Sequence, residues 1–243
     1  MKTRSTKPTA KNQANPVTSG FADDLPAVLF DLDGTLVDSV FQHVSAWSGA
    51  LEKAGFVIPR WKVHRRIGMS GKSFVKELLR EHGNPRRNLG KMEKQHDADF
   101  SRSLRGIQRL PGANELLAHL SRHKIKVAIA TTGNRKQTSA LLGKLRVPSK
   151  IPIVTGDDVE KAKPSPDIFV AAAQRLNVSI GDCIVVGDSV WDLLAAGRKS
   201  ALGVGLLSGG YGQEELERAG AFRVYSDPAD ILQHIEQLGL PSV

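Results

Sequence analysis

Ala27-Val28-Leu29-Phe30-Asp31-Leu32-Asp33-Gly34-Thr35-Leu36 is the stretch from which the rest of the chain can be read. Its first four residues are an apolar run bounded by Pro26 and Gly34, which predicts a short buried strand. Asp31 and Asp33 follow, two residues apart, where that strand would end. Side chains alternate faces along a strand, so both carboxylates are expected to point the same way if the extended geometry persists. Like charges that close repel in a partly buried site and need a shared proton or a bound cation. Ligands of open α/β sheets sit outside the carboxyl ends of the strands, so the position suits chemistry as well.

Downstream, Val40, Val44, Trp47 and Leu51 recur every three or four residues, predicting a helix from Asp38 to a stop at Gly55. Strand signals then vanish until about residue 109. Phe74 to Leu79 reads as helical, Gly83-Asn84-Pro85 as a break, and Arg86 to Ser103 as a further helix. From Leu110 an α/β alternation resumes. Helices are expected at Ala113–His123, Arg135–Leu145, Pro166–Leu176 and Leu193–Arg198. Strands are expected at Lys126–Ala130, Ile151–Thr155 and Cys183–Val186, with Pro152 placing the second of these toward an edge. Ala201–Leu206 is a further apolar run, and Phe222–Tyr225 with Ile231–Leu238 closes the chain. The pattern predicts an α/β fold: a doubly wound, Rossmann-like parallel sheet with a small all-helical domain inserted after the first strand. The expected division is a core of residues 23–37 and 110–243, a helical insertion at 38–109, and a disordered basic tail at 1–22.

A chain of 243 residues with 40% hydrophobic side chains can bury a real core. No apolar run reaches the roughly 18 residues needed to span a bilayer, so no membrane partner is expected. The lone Cys183 sits in the apolar run Cys183-Ile184-Val185-Val186, reads as a core residue, and gives no sign of an oxidising compartment. Residues 1–22 are basic and hydroxyl-rich without the apolar core of a secretory signal, and a cytoplasmic location is expected. A net charge of +9 suits anionic partners but is too diffuse to choose among them.

Four segments place a polar group just past a predicted strand or in the loop that follows. These are Asp31 and Asp33, Thr131 in Thr131-Thr132-Gly133, Lys163 in Lys161-Ala162-Lys163-Pro164, and Asp188 with Asp192 in Gly187-Asp188-Ser189-Val190-Trp191-Asp192. In a parallel sheet these strand ends share one edge, so the groups can converge in one crevice. Together they suit phosphoryl transfer. Asp31 can attack phosphorus, and Asp33 can protonate the leaving oxygen and later deprotonate water. Asp188 adds a third carboxylate for a hard cation such as Mg²⁺, and Thr131 and Lys163 can meet phosphoryl oxygens. Each signal has a plainer reading: a turn for Asp-x-Asp-Gly, a helix cap for Thr131, a solvated lysine, a favourable helix N-terminus for Asp192. Their joint order is what carries the argument. Gly71-Lys72-Ser73 ends like a phosphate-binding loop, but Arg66 stands at the required earlier glycine. Gly203-Val204-Gly205 lacks a dinucleotide fingerprint's third glycine.

The stretch Asp31-Leu32-Asp33-Gly34-Thr35-Leu36-Val37-Asp38-Ser39 resembles the first signature of the haloacid dehalogenase-like superfamily in its phosphatase form, and the other three segments match its later motifs in order. The resemblance covers residues 26 to 225 and implies a helical cap at 38–109, as in phosphoglycolate phosphatase-like and phosphoglucomutase-like members. It implies Asp31 as nucleophile and Asp33 as general acid/base that also gives Mg²⁺ its backbone carbonyl. It further implies Thr131 and Thr132 at the phosphate, Lys163 as the charge-balancing lysine, and Asp188 and Asp192 as metal ligands. Within the cation-rich cap, His64 to Gly71 is similar to a specificity loop, and Arg66 or Lys72 is expected to meet the substrate's anionic or polyol end. Asp33 speaks against the dehalogenase and phosphonatase branches. The expected activity is Mg²⁺-dependent hydrolysis of small phosphorylated metabolites, sugar or carboxylic-acid phosphates, by a monomer or homodimer with no nucleic-acid partner. A mutase is the first alternative, and a non-catalytic binding protein using the basic tail is the second. The latter would bind nucleic acid salt-sensitively and lose it with residues 1–22.

Overall fold

The computed structural model describes residues 25–81 and 89–243, and of Lys72 only the backbone. The basic tail expected at 1–22, the break at Gly83-Asn84-Pro85 and the cations Arg86 and Arg87 lie outside the described residues.

Six parallel strands form one sheet: β1 (Ala27–Phe30), β2 (Val127–Ala130), β3 (Ile153–Val154), β4 (Cys183–Gly187), β5 (Leu202–Leu206) and β6 (Ala221–Tyr225). Their spatial order is β3-β2-β1-β4-β5-β6. Every residue of β1, β2 and β4 is buried, which is why these strands read as unbroken apolar runs rather than alternating ones. The sheet has a hydrophobic cluster on each face. One gathers Val28, Phe30, Ile129 and Val186 with helix α5 (Ala113–Arg122) and helix α10 (Pro228–Gln233). The other gathers Leu29, Ala128 and Val185 with helix α7 (Asp167–Arg175) and helix α8 (Val190–Gly197). Leu29 is wholly buried, so Leu29→Ala would leave a cavity costing about 2–5 kcal/mol. Short helices α6 (Arg135–Leu142), capped by the Asn134 side chain, and α9 (Gln213–Arg218) complete this layer structure.

Between β1 and α5 the chain forms α1 (Val40–Lys53), α2 (Arg60–His64), α3 (Gly71–Glu81) and α4 (Leu89–Ser103). Val44, Trp47 and Leu51 of α1 pack on Phe74, Leu78 and Met92, giving this helical layer a hydrophobic cluster of its own. Its two connections to the sheet run side by side: the Asp38 amide donates to the Gln108 carbonyl at 2.9 Å and the Leu110 amide to the Leu36 carbonyl at 3.0 Å.

Several boundaries differ from the sequence reading. Helix α6 stops at Leu142 before Gly143, β3 is only two residues long at the sheet edge, and α8 begins at Val190 because Ser189 and Asp192 form a capping box there. Helices α2 and α9 were not legible as elements. They have five and six residues, too few to display a period.

Candidate active site

β1 and β4 are neighbours with Phe30 opposite Val186, and the Asp31 amide donates to the Val186 carbonyl at 2.9 Å. Strand order reverses between these two strands, since β2 and β3 lie on one side of β1 and β5 and β6 beyond β4. Asp31 and Asp188 therefore leave the sheet at its topological switch point, where the crevice of a doubly wound sheet opens. Lys163, in the loop after β3, is 1% exposed, and its ammonium donates to Asp31 Oδ1 and stands 2.7 Å from Asp192 Oδ1. Gly34 has φ +76°, and a Cβ there would overlap the Asp188 carboxylate, so the turn after β1 needs glycine twice over.

Ligand atoms of Asp31, Asp188 and Asp192 all lie within 4.8 Å of one another, and all three residues are buried. Against three carboxylates stands the buried cation Lys163, the one fully buried lysine or arginine among the described residues. Burial pushes Asp31 up to about 7, against the pull of Lys163 and with help from Asp192 and Asp33. Burial, then Asp192 and Asp31, hold Asp188 well above the usual carboxylate range. The ammonium of Lys163 is itself held above its ordinary value, because Asp192 and Asp31 outweigh the cost of its burial. Asp192 divides its work: Oδ2 accepts from the Ser189 amide at 3.2 Å and hydroxyl at 2.5 Å, while buried Oδ1 pairs with the Lys163 ammonium at 2.7 Å. A surplus of buried negative charge, three carboxylates to one lysine, and an all-oxygen donor set fit a hard divalent cation.

Asp33 takes other partners. Its Oδ1 accepts from Ser39 Oγ at 2.5 Å and lies 3.1 Å from His43 Nε2, and its Oδ2 accepts from Thr131 Oγ1 at 3.3 Å. Burial alone would raise this carboxyl, yet the charge and hydrogen bond of His43, with those of Ser39 and Thr131, bring it below its ordinary value. The extended geometry does not persist from Asp31 to Asp33: β1 ends at Phe30, and the Leu36 amide donates to the Leu32 carbonyl at 2.9 Å, so Asp33 belongs to a turn, though both residues line the same cavity. The Asp33 side chain stays outside the cluster of Asp31, Asp188 and Asp192.

A family model described as haloacid dehalogenase-like hydrolase matches residues 25–198, well over half of the chain. The chain is a haloacid dehalogenase-like hydrolase. It is 33% identical over 179 residues to hexitol phosphatase A of Escherichia coli, a match covering 70% of this chain and 78% of that protein. It is 29% identical to the beta-phosphoglucomutase of Bacillus subtilis, over 78% of this chain and 84% of the other. Among solved structures, a hydrolase from Pseudomonas syringae superposes with a TM-score of 0.85 at 46% identity, covering 87% of this chain and 98% of that one.

In this hydrolase the helical layer faces the carboxylates across a cavity of about 390 Å³. The loop from His64 to Gly68 is tied to the sheet side by several bonds. His64 Nε2 lies 2.7 Å from the Gly209 carbonyl, and Trp191 and Tyr211 donate to the Arg65 carbonyl at 3.1 and 2.9 Å. Thr132 donates to the Gly68 carbonyl at 3.3 Å. Thr132 lines the cavity, whereas Thr131 is buried behind it against Asp33, with the Gly133 amide donating to its hydroxyl at 3.0 Å. Arg66 is not brought to the cavity. Its guanidinium pairs with Glu81 at 2.5 Å and donates to the Lys62 carbonyl at 3.1 Å, bracing α2 against α3. The side chain of Lys72 lies outside the described residues. His43 escaped the sequence reading altogether. The available signal was its place four residues after Ser39, one helical turn away on the same face.

Proposed function

We propose that this chain is a Mg²⁺-dependent phosphatase of small phosphorylated metabolites, acting through an aspartyl-phosphate on Asp31, with residues 38–109 as its cap. The observation that carries this reading is the buried cluster of Asp31, Asp188 and Asp192 with Lys163 at the switch point of the sheet. In the proposed reaction the Asp31 carboxylate attacks phosphorus, while Asp33 gives a proton to the departing ester oxygen. Asp33 then takes a proton from the water that cleaves the Asp31–phosphorus bond, returning the site to its starting state. In the metal-free site the shifts run against these roles, Asp31 up and Asp33 down, so the reading requires a cation on Asp31 to hold it ionised as the nucleophile. Lys163 balances charge, and Thr131 and Thr132 supply hydroxyls at the phosphoryl oxygens. Asp31, Asp188, Asp192 and the Asp33 carbonyl would hold Mg²⁺, which supplies charge neutralisation between the carboxylate nucleophile and the phosphate.

Among the described residues lining the cavity there is no arginine or lysine; its walls include Trp47, Phe74, His43, Asn134 and Gln137. Aromatic faces and neutral donors suit a polyol or sugar better than a second anionic group, in keeping with the similarity to a hexitol phosphatase. Purified protein with Mg²⁺ is therefore expected to release inorganic phosphate from hexitol or sugar phosphates faster than from phosphorylated carboxylic acids, and to stop with EDTA. No release from any member of such a panel would overturn the reading. The similarity to a beta-phosphoglucomutase favours one competing reading, a mutase, which would show itself by returning the phosphoryl group to a sugar phosphate.

A further inference from the structure

Behind Asp33 a line of side chains runs through the helical layer to the opposite side of the cavity. His43 of α1 meets Asp33 through Nε2, and its Nδ1 lies 3.0 Å from Nε2 of His96 on α4. His96 Nδ1 lies 3.0 Å from Asp97 Oδ1, and that same oxygen accepts from Gln137 Nε2 of α6 at 2.8 Å. The rings are fixed by stacking, His43 on Phe100 at 3.8 Å and His96 on Trp47 at 4.1 Å. His96 is 4% exposed at the cavity wall, while the Asp97 carboxylate beside it is about half exposed.

The direction of each bond follows from its ends. Hydrogen bonding by His96 and Gln137 keeps Asp97 an ionised, acceptor-only carboxylate, below its usual range. His96 Nδ1 must then carry the hydrogen. Burial favours the neutral ring, which leaves His96 Nε2 as an acceptor and His43 Nδ1 as the donor to it. Resting on the phosphatase reading of the same site, we propose that His96 and Asp97, held by Gln137, are positioning residues that fix His43's ring so that Nε2 faces Asp33. Since Gln137 belongs to the sheet side and Asp97 to the helical layer, the line is complete only where the two meet.

The test combines spectroscopy and kinetics on the full chain. Ring-nitrogen NMR of the wild type should show His96 as the neutral Nδ1–H tautomer, and Asp97→Asn, which keeps the shape but offers an amide, should disturb both His96 and His43. An Nε2–H tautomer at His96, or spectra indifferent to Asp97→Asn, would overturn the proposal. On the best phosphate ester, His96→Phe and Asp97→Ala should each lower kcat roughly tenfold with KM held, as expected of groups that act through another. In a His43→Gln background neither should have any further effect. Losses that add to that of His43→Gln, or that fall on KM, would refute a positioning role. A wild type inert toward all phosphate esters would overturn the phosphatase reading alone, and the ring-nitrogen spectra would still decide this one.

Discussion

The carboxyl edge of the sheet and the helical layer opposite it treat a pair of neighbouring acids in opposite ways. At the sheet edge, Asp31 sits among buried carboxylates with one lysine, and its carboxyl is pushed up to about 7. Asp33 turns to Ser39 and His43 at the start of the helical layer and is held below its ordinary value. The difference teaches that an Asp-x-Asp pair is made into two chemical groups by what each faces rather than by local sequence. One side of the cleft gathers three buried carboxylates around a lysine; the other supplies an imidazole to a single carboxyl.

The comparison can be broken by removing either acid. Asp31→Asn takes away the proposed nucleophile, so turnover should fall by roughly 10⁴-fold or more and labelling of the protein by phosphate donor should vanish. Retained turnover or labelling in that variant would end the proposed mechanism. Asp33→Asn should be the lesser lesion, lowering kcat by about 10²- to 10⁴-fold while Mg²⁺ affinity, measured by calorimetry, changes little. A large loss of metal affinity there would mean that the two acids are not separate in function.

Stripping the cation sharpens the contrast at the sheet edge. Metal-free protein holds a proton on Asp31 that the unfolded chain releases, because the native value is about 7 against 3.8 in the free side chain. The native state thus binds more protons than the unfolded state in that window, and the Tm of the chelated protein should fall as pH rises from 3.8 toward about 7. Mg²⁺ needs the deprotonated ligands, so its stabilising shift in Tm should grow over the same window. A shift independent of pH would contradict the assignment of these carboxylates to the ion.

The smallest effect belongs to an acid on the sheet side that is purely structural. Asp158 accepts from the Thr155 amide and hydroxyl, each at 2.8 Å, and pairs with Arg135 and Arg175. The Thr155 amide, with its hydroxyl and the two arginines, brings its carboxyl down to about 2. Asp158→Ala should cost about 1 kcal/mol at neutral pH, as for a lost cap. Since the native value is depressed, that margin is present above 3.8 and should disappear in denaturation curves as pH falls toward about 2.

Much of this was legible beforehand. The runs Ala27–Phe30, Val127–Ala130 and Cys183–Val186 are apolar without alternation because both faces of the inner strands are covered, and a polar residue of the candidate site, Asp31, Thr131 or Asp188, follows within two positions of each. His43, His96 and Gln137 were not legible, because they sit on three separate helices whose faces carry no period that singles them out. Arg66 was misleading for the same reason: a cation in a predicted loop shows its charge but not its partner, and Glu81 takes it.

By itself, the sequence determined the alternation of strands and helices, the helical stretch after the first strand, and the acids that follow the strands, since burial and turn chemistry act over a few residues. Only the tertiary structure decided which groups face one another across the cleft. Those contacts join residues as far apart as Asp31 and Lys163, and desolvation and Coulomb forces act on distance in space and not on distance along the chain.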